Sequence, residues 1–299
     1  MKLPAHNRYE YVPLPKRQPY AWPGEKRLAI YFANNIEFFA FRAGMGSDSA
    51  ILGAPQTQRN YAWRDYGNRV GIWRMFEVFD ELDMPLAHNI NASVLVHHPE
   101  IGERMLERGD EFVAHGMTNS ERQGEMWEEA EARLIAETTE TITKFTGKQP
   151  VGWMSPWLSQ TDVTLDLLQE AGYLFQCDWP LDDQPMWMRT RKGRILNMPY
   201  PVDTNDSPLV VNRHQTGREL AEIWIDQFDE MLDQARKGPH ALVCPFVLHT
   251  FILGQPFRLR QLRRVLEHIK SRGDEIWLTR PGEIASHVQS LPSGTVPGS

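Results

Sequence analysis

The sequence predicts an α/β fold in which parallel strands close, or nearly close, into a β/α barrel. Three observations carry this. Apolar runs of β type recur along the chain, most are followed by a helical pattern, and no linker interrupts the alternation between residues 27 and 290. Parallel strands covered by helices are buried on both faces and read as continuous apolar runs, as residues 28–33 and 241–248 do. The rival, an open doubly wound sheet, lacks its usual mark, because no Gly-rich phosphate loop follows the first strand.

The elements follow in order. Strands are expected at residues 28–33, 85–89, 111–114, 151–153, 174–177, 195–198, 241–248 and 275–278, where apolar residues cluster between turn signals. Helices are expected at 67–83, at 123–145 with an acidic first half that suits the helix dipole, and at 162–172 with Asp162 as its cap. Two more follow at 217–236 and 256–272, the latter with Pro256 at its first position. His97 and His98 precede Pro99 and read as caps of a further helix. Residues 1–26 form a proline-rich arm with Tyr9, Tyr11, Tyr20 and Trp22 as aromatic anchors, expected to lie across its own domain or a neighbouring subunit. Residues 27–290 form the barrel, and 291–299 read as a frayed, flexible tail.

Composition narrows the function. The 299 residues carry 32 Lys and Arg against 39 Asp and Glu, a net charge of −7, so no broad basic surface is on offer to nucleic acid. The longest strongly apolar stretch, 241–248, contains Pro245 and falls far short of the roughly 18 residues of a membrane span, so no membrane partner is expected. The only two cysteines, Cys177 and Cys244, lie in apolar runs and read as buried thiols of a reducing compartment. Because no apolar leader precedes Arg27, the cytoplasm is the expected location.

In a barrel, chemistry sits just after the strands. The first strand is followed by Asn34, Asn35, Ile36 and Glu37, and a carboxylate wedged among Phe32, Phe38 and Phe39 is desolvated and so a stronger base; the alternative is a loop cap facing solvent. The third strand leads into His115, Gly116 and, four residues on, Asn119, a spacing that brings both side chains to one site if the loop turns like a helix. After the fifth strand come Asp178, Trp179, Asp182 and Asp183, carboxylates able to orient a base or hold substrate, although Asp182–Asp183 also reads as a solvated turn. The strand at 241–248 ends in His249, followed by Gly254, Pro256 and Arg258, a built loop. Of ten histidines, His115 and His249 have the contexts least like surface or core filler.

Four such segments in this order resemble the polysaccharide deacetylase superfamily, also called the NodB-homology or carbohydrate esterase 4 superfamily, and most closely its allantoinase and cyclic-imide hydrolase branch. The resemblance runs over residues 27–290. It implies a distorted single-domain β/α barrel, hydrolysis of a C–N bond other than a peptide bond, a small-molecule substrate and assembly into a homo-oligomer, a dimer or tetramer. The family's first acidic pair falls on Asn35 and Glu37, and its metal-binding H-x-x-x-H falls on His115 and Asn119. Its Arg-and-Pro motif falls on Met154 and Pro156, its Asp-and-Trp motif on Asp178 and Trp179, and its last motif on Leu248 and His249 with Gly254, Pro256 and Arg258.

The resemblance implies a metal on Glu37, His115 and Asn119, but an amide oxygen is a poor substitute for imidazole toward zinc. We therefore expect either no metal requirement or a weakly bound divalent ion such as zinc. The resemblance makes Glu37, His115 and His249 catalytic candidates. Asn35, Asn119, Pro156, Asp178, Trp179, Asp183 and Arg258 are candidates for substrate binding. The expected reaction is ring opening of a small cyclic amide, ureide or imide, allantoin-like. N-deacetylation of an acetylated sugar and a lapsed, ligand-binding barrel are the alternatives.

Overall fold

A computed structural model describes residues 6–43 and 56–299. In chain order it comprises β1 (Leu28–Ile36), α1 (Gln58–Tyr66), a π-helical turn (Gly67–Gly71), α2 (Ile72–Glu81), β2 (Ala87–Ile90), α3 (Ala92–His97), α4 (Pro99–Arg108), β3 (Glu111–Ala114) and α5 (Glu128–Thr146). There follow β4 (Gly152–Trp153), α6 (Thr164–Glu170), β5 (Phe175–Gln176), β6 (Met186–Thr190), β7 (Gly193–Asn197), α7 (Gly217–Lys237), β8 (Leu242–His249), α8 (Thr250–Leu253), α9 (Pro256–Lys270), β9 (Trp277–Leu278) and α10 (Pro281–Ser290).

The strands run in the order β6-β7-β5-β4-β3-β2-β1-β8, parallel except for the β6–β7 hairpin, with β9 beside the first half of β1. The fold is a distorted β/α barrel. The gap between β8 and the hairpin is spanned by irregular backbone: Asn205 bridges Val247, and Val243 N–H donates to Asp183 O at 2.9 Å. Alternation along β1 divides the core in two. Leu28, Ile30 and Phe32 pack outward under the helices, whereas Ala29, Tyr31 and Ala33 fill the barrel interior with Val113, Phe175, Val243 and Val247.

Several sequence expectations need correction. The first helix begins at Gln58, capped by Thr57, whose hydroxyl accepts from Asn60 N at 3.1 Å. α5 starts at Glu128, because Gln123–Glu125 forms a separate turn. Asp162 does not cap α6: Val163 holds that position with no side-chain bond, and the Asp162 carbonyl accepts from Arg8. His98 makes no side-chain cap, and His97 stacks on Phe38, 4.7 Å between centroids. The final residues are not frayed: Pro297 O accepts from Trp187 N at 2.8 Å and Val296 is buried, because β6 offers an unpaired edge. The arm lies across its own barrel, where Trp22 is buried and donates through Nε1 to Leu242 O at 2.9 Å. Pro4, at the start of that arm, lies outside the described residues.

Candidate active site

The inward parity of three strands converges on one mouth. Ala29, Tyr31 and Ala33 point inward, so Asn35 and Glu37 continue the series. Val243 and Val247 lead in the same way to His249, and Val113 leads to His115. β1 and β8 are neighbours with Asn35 opposite His249, which brings together groups far apart in sequence. Glu37 Oε1 lies 3.7 Å from His249 Nε2 and accepts from Asn119 Nδ2 at 2.5 Å. The loop carrying His115 and Asn119 is irregular rather than helical, and it brings Asn119 there through Asn119 N donating to Phe38 O at 2.9 Å.

Asp206, which the sequence reading passed over, completes this group. It is fully buried, and it accepts from His249 Nδ1 at 2.6 Å and from His249 backbone N at 2.8 Å. Burial alone would lower the His249 pKa, but Asp206 and Glu37 outweigh it and raise the value above 6.5. Burial also raises the Asp206 carboxyl above its ordinary range, with His249 opposing. The available signal was a polar run, Thr204 to Ser207 before Pro208, which reads from sequence as a turn.

His115 is set differently. Its Nδ1 lies 2.6 Å from Met154 O, which can only accept, so Nδ1 carries the proton and Nε2 presents a lone pair. That Nε2 is buried with no partner among the described residues, as is Asn119 Oδ1. Burial is the main cause that pushes the His115 pKa down to about 4, and nearby His249 adds to it, so the ring is neutral at pH 7.

The other candidates divide. Asn35 is occupied: Nδ2 donates to Tyr200 Oη and Leu248 O, and Oδ1 accepts from Asn89 at 3.0 Å. Asp178 is occupied by Ser155 N, Ser155 Oγ and Gln160 Nε2, at 2.7, 2.7 and 2.5 Å; burial still raises its pKa to about 6. Its place is to hold the loop whose Met154 carbonyl orients His115. Trp179 donates to Gln160 Oε1 at 2.7 Å. Pro156 packs against Gly116, which at φ +63° and with the proline Cγ 3.0 Å from a notional Cβ has no room for a side chain. Arg258 is half-buried on α9, close enough to Asp206 to be influenced by its charge. Asp183 is not at the site: it bonds to Val243, six residues before His249, which is about 20 Å along the strand.

Two further groups flank Glu37. Arg64 on α1 is buried with its guanidinium 3.7 Å from the Phe39 centroid. Trp157, at φ 63° in the left-handed region rarely used by large residues, donates through Nε1 to Asn119 O at 3.0 Å.

The donor set does not fit zinc. Among the described residues no group of three His, Cys, Asp or Glu side chains is placed to hold a metal ion. Where a second imidazole would be needed stands Asn119, with its amide N–H turned onto Glu37.

Carboxylates, two imidazoles of opposite charge preference and a cation gather around one mouth, and likeness to known proteins makes the chain a hydrolase of C–N bonds other than peptide bonds. A polysaccharide deacetylase domain model matches residues 61–175 of the chain. The chain is similar to the crystal structure of PuuE allantoinase, with TM-score 0.82, 28% identity, and 90% of this chain and 93% of that one covered. It is also similar to a structure described as a probable polysaccharide deacetylase from Pseudomonas aeruginosa PAO1, with TM-score 0.79, 27% identity and 89% and 92% covered. A peptidoglycan deacetylase of Helicobacter pylori is 22% identical over 247 residues, 72% of this chain and 82% of that protein.

Proposed function

We propose that the protein opens the ring of a small cyclic amide, ureide or imide. The supporting observation is the Asp206–His249–Glu37 chain together with His115, which is near enough to feel the charge of His249 and whose buried Nε2 has no partner among the described residues. In this reading a water sits between Glu37 and His115 Nε2, and Glu37 takes a proton as the water oxygen attacks the acyl carbon. His249, whose protonated form Asp206 favours, stabilises the developing oxyanion and delivers a proton to the departing ring nitrogen as the C–N bond breaks. The product is an open-chain acid carrying a free amine, amide or ureide nitrogen, according to whether the ring is an amide, an imide or a ureide. A second carbonyl or ring strain activates such an acyl carbon, which suits a site whose donors do not assemble a zinc centre. The likeness to PuuE allantoinase supports the reading.

The alternative, N-deacetylation of an acetylated sugar, is favoured by the name of the Helicobacter pylori relative. A screen of hydantoins, cyclic imides and short N-acetylated sugars separates the two: release of acetate from the sugars with no turnover of any ring defeats the proposal. We further propose the cytoplasm as its location, in keeping with the buried, unpaired Cys177 and Cys244. Among the described residues no helix is long and apolar enough to cross a membrane. We also propose assembly as a homo-oligomer, a dimer or tetramer.

A further inference from the structure

Arg64 is 4% exposed, yet its Nε and Nη1 have no hydrogen-bond partner among the described residues. The guanidinium lies 3.7 Å from the centroid of Phe39, 5.4 Å from that of Trp157 and 5.9 Å from that of Phe251. Aromatic faces steady a cation but leave its N–H groups unsatisfied, and a buried, unsatisfied cation is costly unless something arrives to pair with it. Its position is fixed by backbone contact. The π-helical turn that follows α1 packs directly on the loop after β8: a Cβ on Gly67 would lie 2.4 Å from Thr250 Oγ1, and one on Gly71 2.1 Å from Thr250 O. The charge stands close enough to His249 to act on its pKa. Burial lowers the Arg64 pKa to about 10, with Glu37 opposing, so it stays protonated at neutral pH.

We propose that Arg64 is a specificity-determining residue that receives a carboxylate carried by the substrate, making the natural substrate an anionic ring rather than a neutral one. The planar guanidinium matches a carboxylate in shape and charge, and its aromatic surroundings exclude the water that would compete. This rests on the ring-opening reading and adds the substrate's charge to it.

The test measures binding, with turnover blocked by Glu37→Gln. Calorimetric titrations compare dihydrouracil with dihydroorotate, and hydantoin with hydantoin-5-acetate, which differ by the carboxylate. The carboxylated member of each pair should bind about 10- to 100-fold more tightly, the worth of one charge-assisted pair. Adding Arg64→Gln should erase the preference without weakening the neutral ring, and Arg64→Lys should keep only part of it. Equal affinities within both pairs, or a preference that survives Arg64→Gln, overturns the inference. Should Arg64→Gln fail to fold in a thermal melt, an undiminished preference in Arg64→Lys overturns it instead. Failure of every ring to bind, neutral or anionic, defeats the ring-opening reading, and this inference with it.

Discussion

Replacing Asp206 by Asn isolates the contribution of the His249 ion pair. The aspartate accepts two bonds from one residue, 2.6 Å from the ring and 2.8 Å from the backbone. An asparagine has one acceptor oxygen and one donor nitrogen, so it can serve only one of these N–H groups. Either the His249 amide is left unpaired in a buried place, or the ring flips to the tautomer with Nδ1 bare. A lost charge-assisted bond is worth about 1.5–3 kcal/mol, or roughly 10- to 150-fold in rate, and a wrong tautomer raises the loss to as much as about 10⁴-fold.

The pH profile supplies a second readout. Because the His249 pKa is raised, the acid form persists above pH 6.5, and a rate that needs it falls as pH climbs through the raised value. Its stabilisation of the fold has the same sign, full below 6.5 and lost as pH rises through the folded value. In Asp206→Asn the alkaline limb of kcat/KM should move toward acid, while His115, neutral above about pH 4, adds no limb near neutrality. Turnover within about threefold of the parent, or an alkaline limb that stays put, would refute the reasoning.

Glu37→Gln should lower kcat by about 100-fold or more, and His249→Ala should lower kcat more than it raises KM, both read by steady-state kinetics. Protein purified without added metal should hold far less than one zinc per chain by elemental analysis, and Asn119→His should raise that content. Burial raises the Glu111 carboxyl from 4.5 to about 7, so the folded state keeps a proton that the unfolded chain releases. Stability should therefore fall as pH rises from 4.5 toward 7, and Glu111→Gln should flatten that fall in urea titrations. Deleting residues 1–22 removes the buried Tyr20 and Trp22 and should lower the melting temperature as well as the oligomer size seen by light scattering.

Apolar runs made the mouth legible. Glu37, His115 and His249 were each found by their position at the end of an apolar run, and the inward parity that makes them converge came with the structure. What stayed hidden depends on contacts without a local pattern. Asp206 opens a short helical stretch directly after Asn205, which bridges β8, and Arg64 lies on a helix whose start precedes the expected one by nine residues, at Gln58 rather than 67. β7 was expected at 195–198, but its hairpin partner β6 escaped because Arg189, Thr190, Arg191 and Lys192 break the apolar run. Asp178 and Asp183 show the opposite error: carboxylates near a strand end were counted toward the mouth, but one is consumed by Ser155 and Gln160 and the other sits at the far end of β8.

Asn119 and Met154, which stand where the resemblance implies a metal-binding histidine and an arginine, acquire a consistent sense from these contacts. A metal ion would supply positive charge beside the attacked carbonyl. In the proposed mechanism that charge comes from His249, whose pKa Asp206 and Glu37 raise. Met154 still serves His115, but through its carbonyl, which fixes the tautomer that leaves Nε2 free. In the proposed mechanism this arrangement stabilises an oxyanion without strengthening the nucleophile beyond what Glu37 can do. The barrier it can lower is thus one where the acyl carbon is already activated. Introducing Asn119→His and Met154→Arg together should therefore raise zinc content without improving ring opening, because the imidazole displaces the amide that orients Glu37. A double variant that binds zinc and opens the ring faster than the parent would show that the metal-free electrostatics are not what the site relies on.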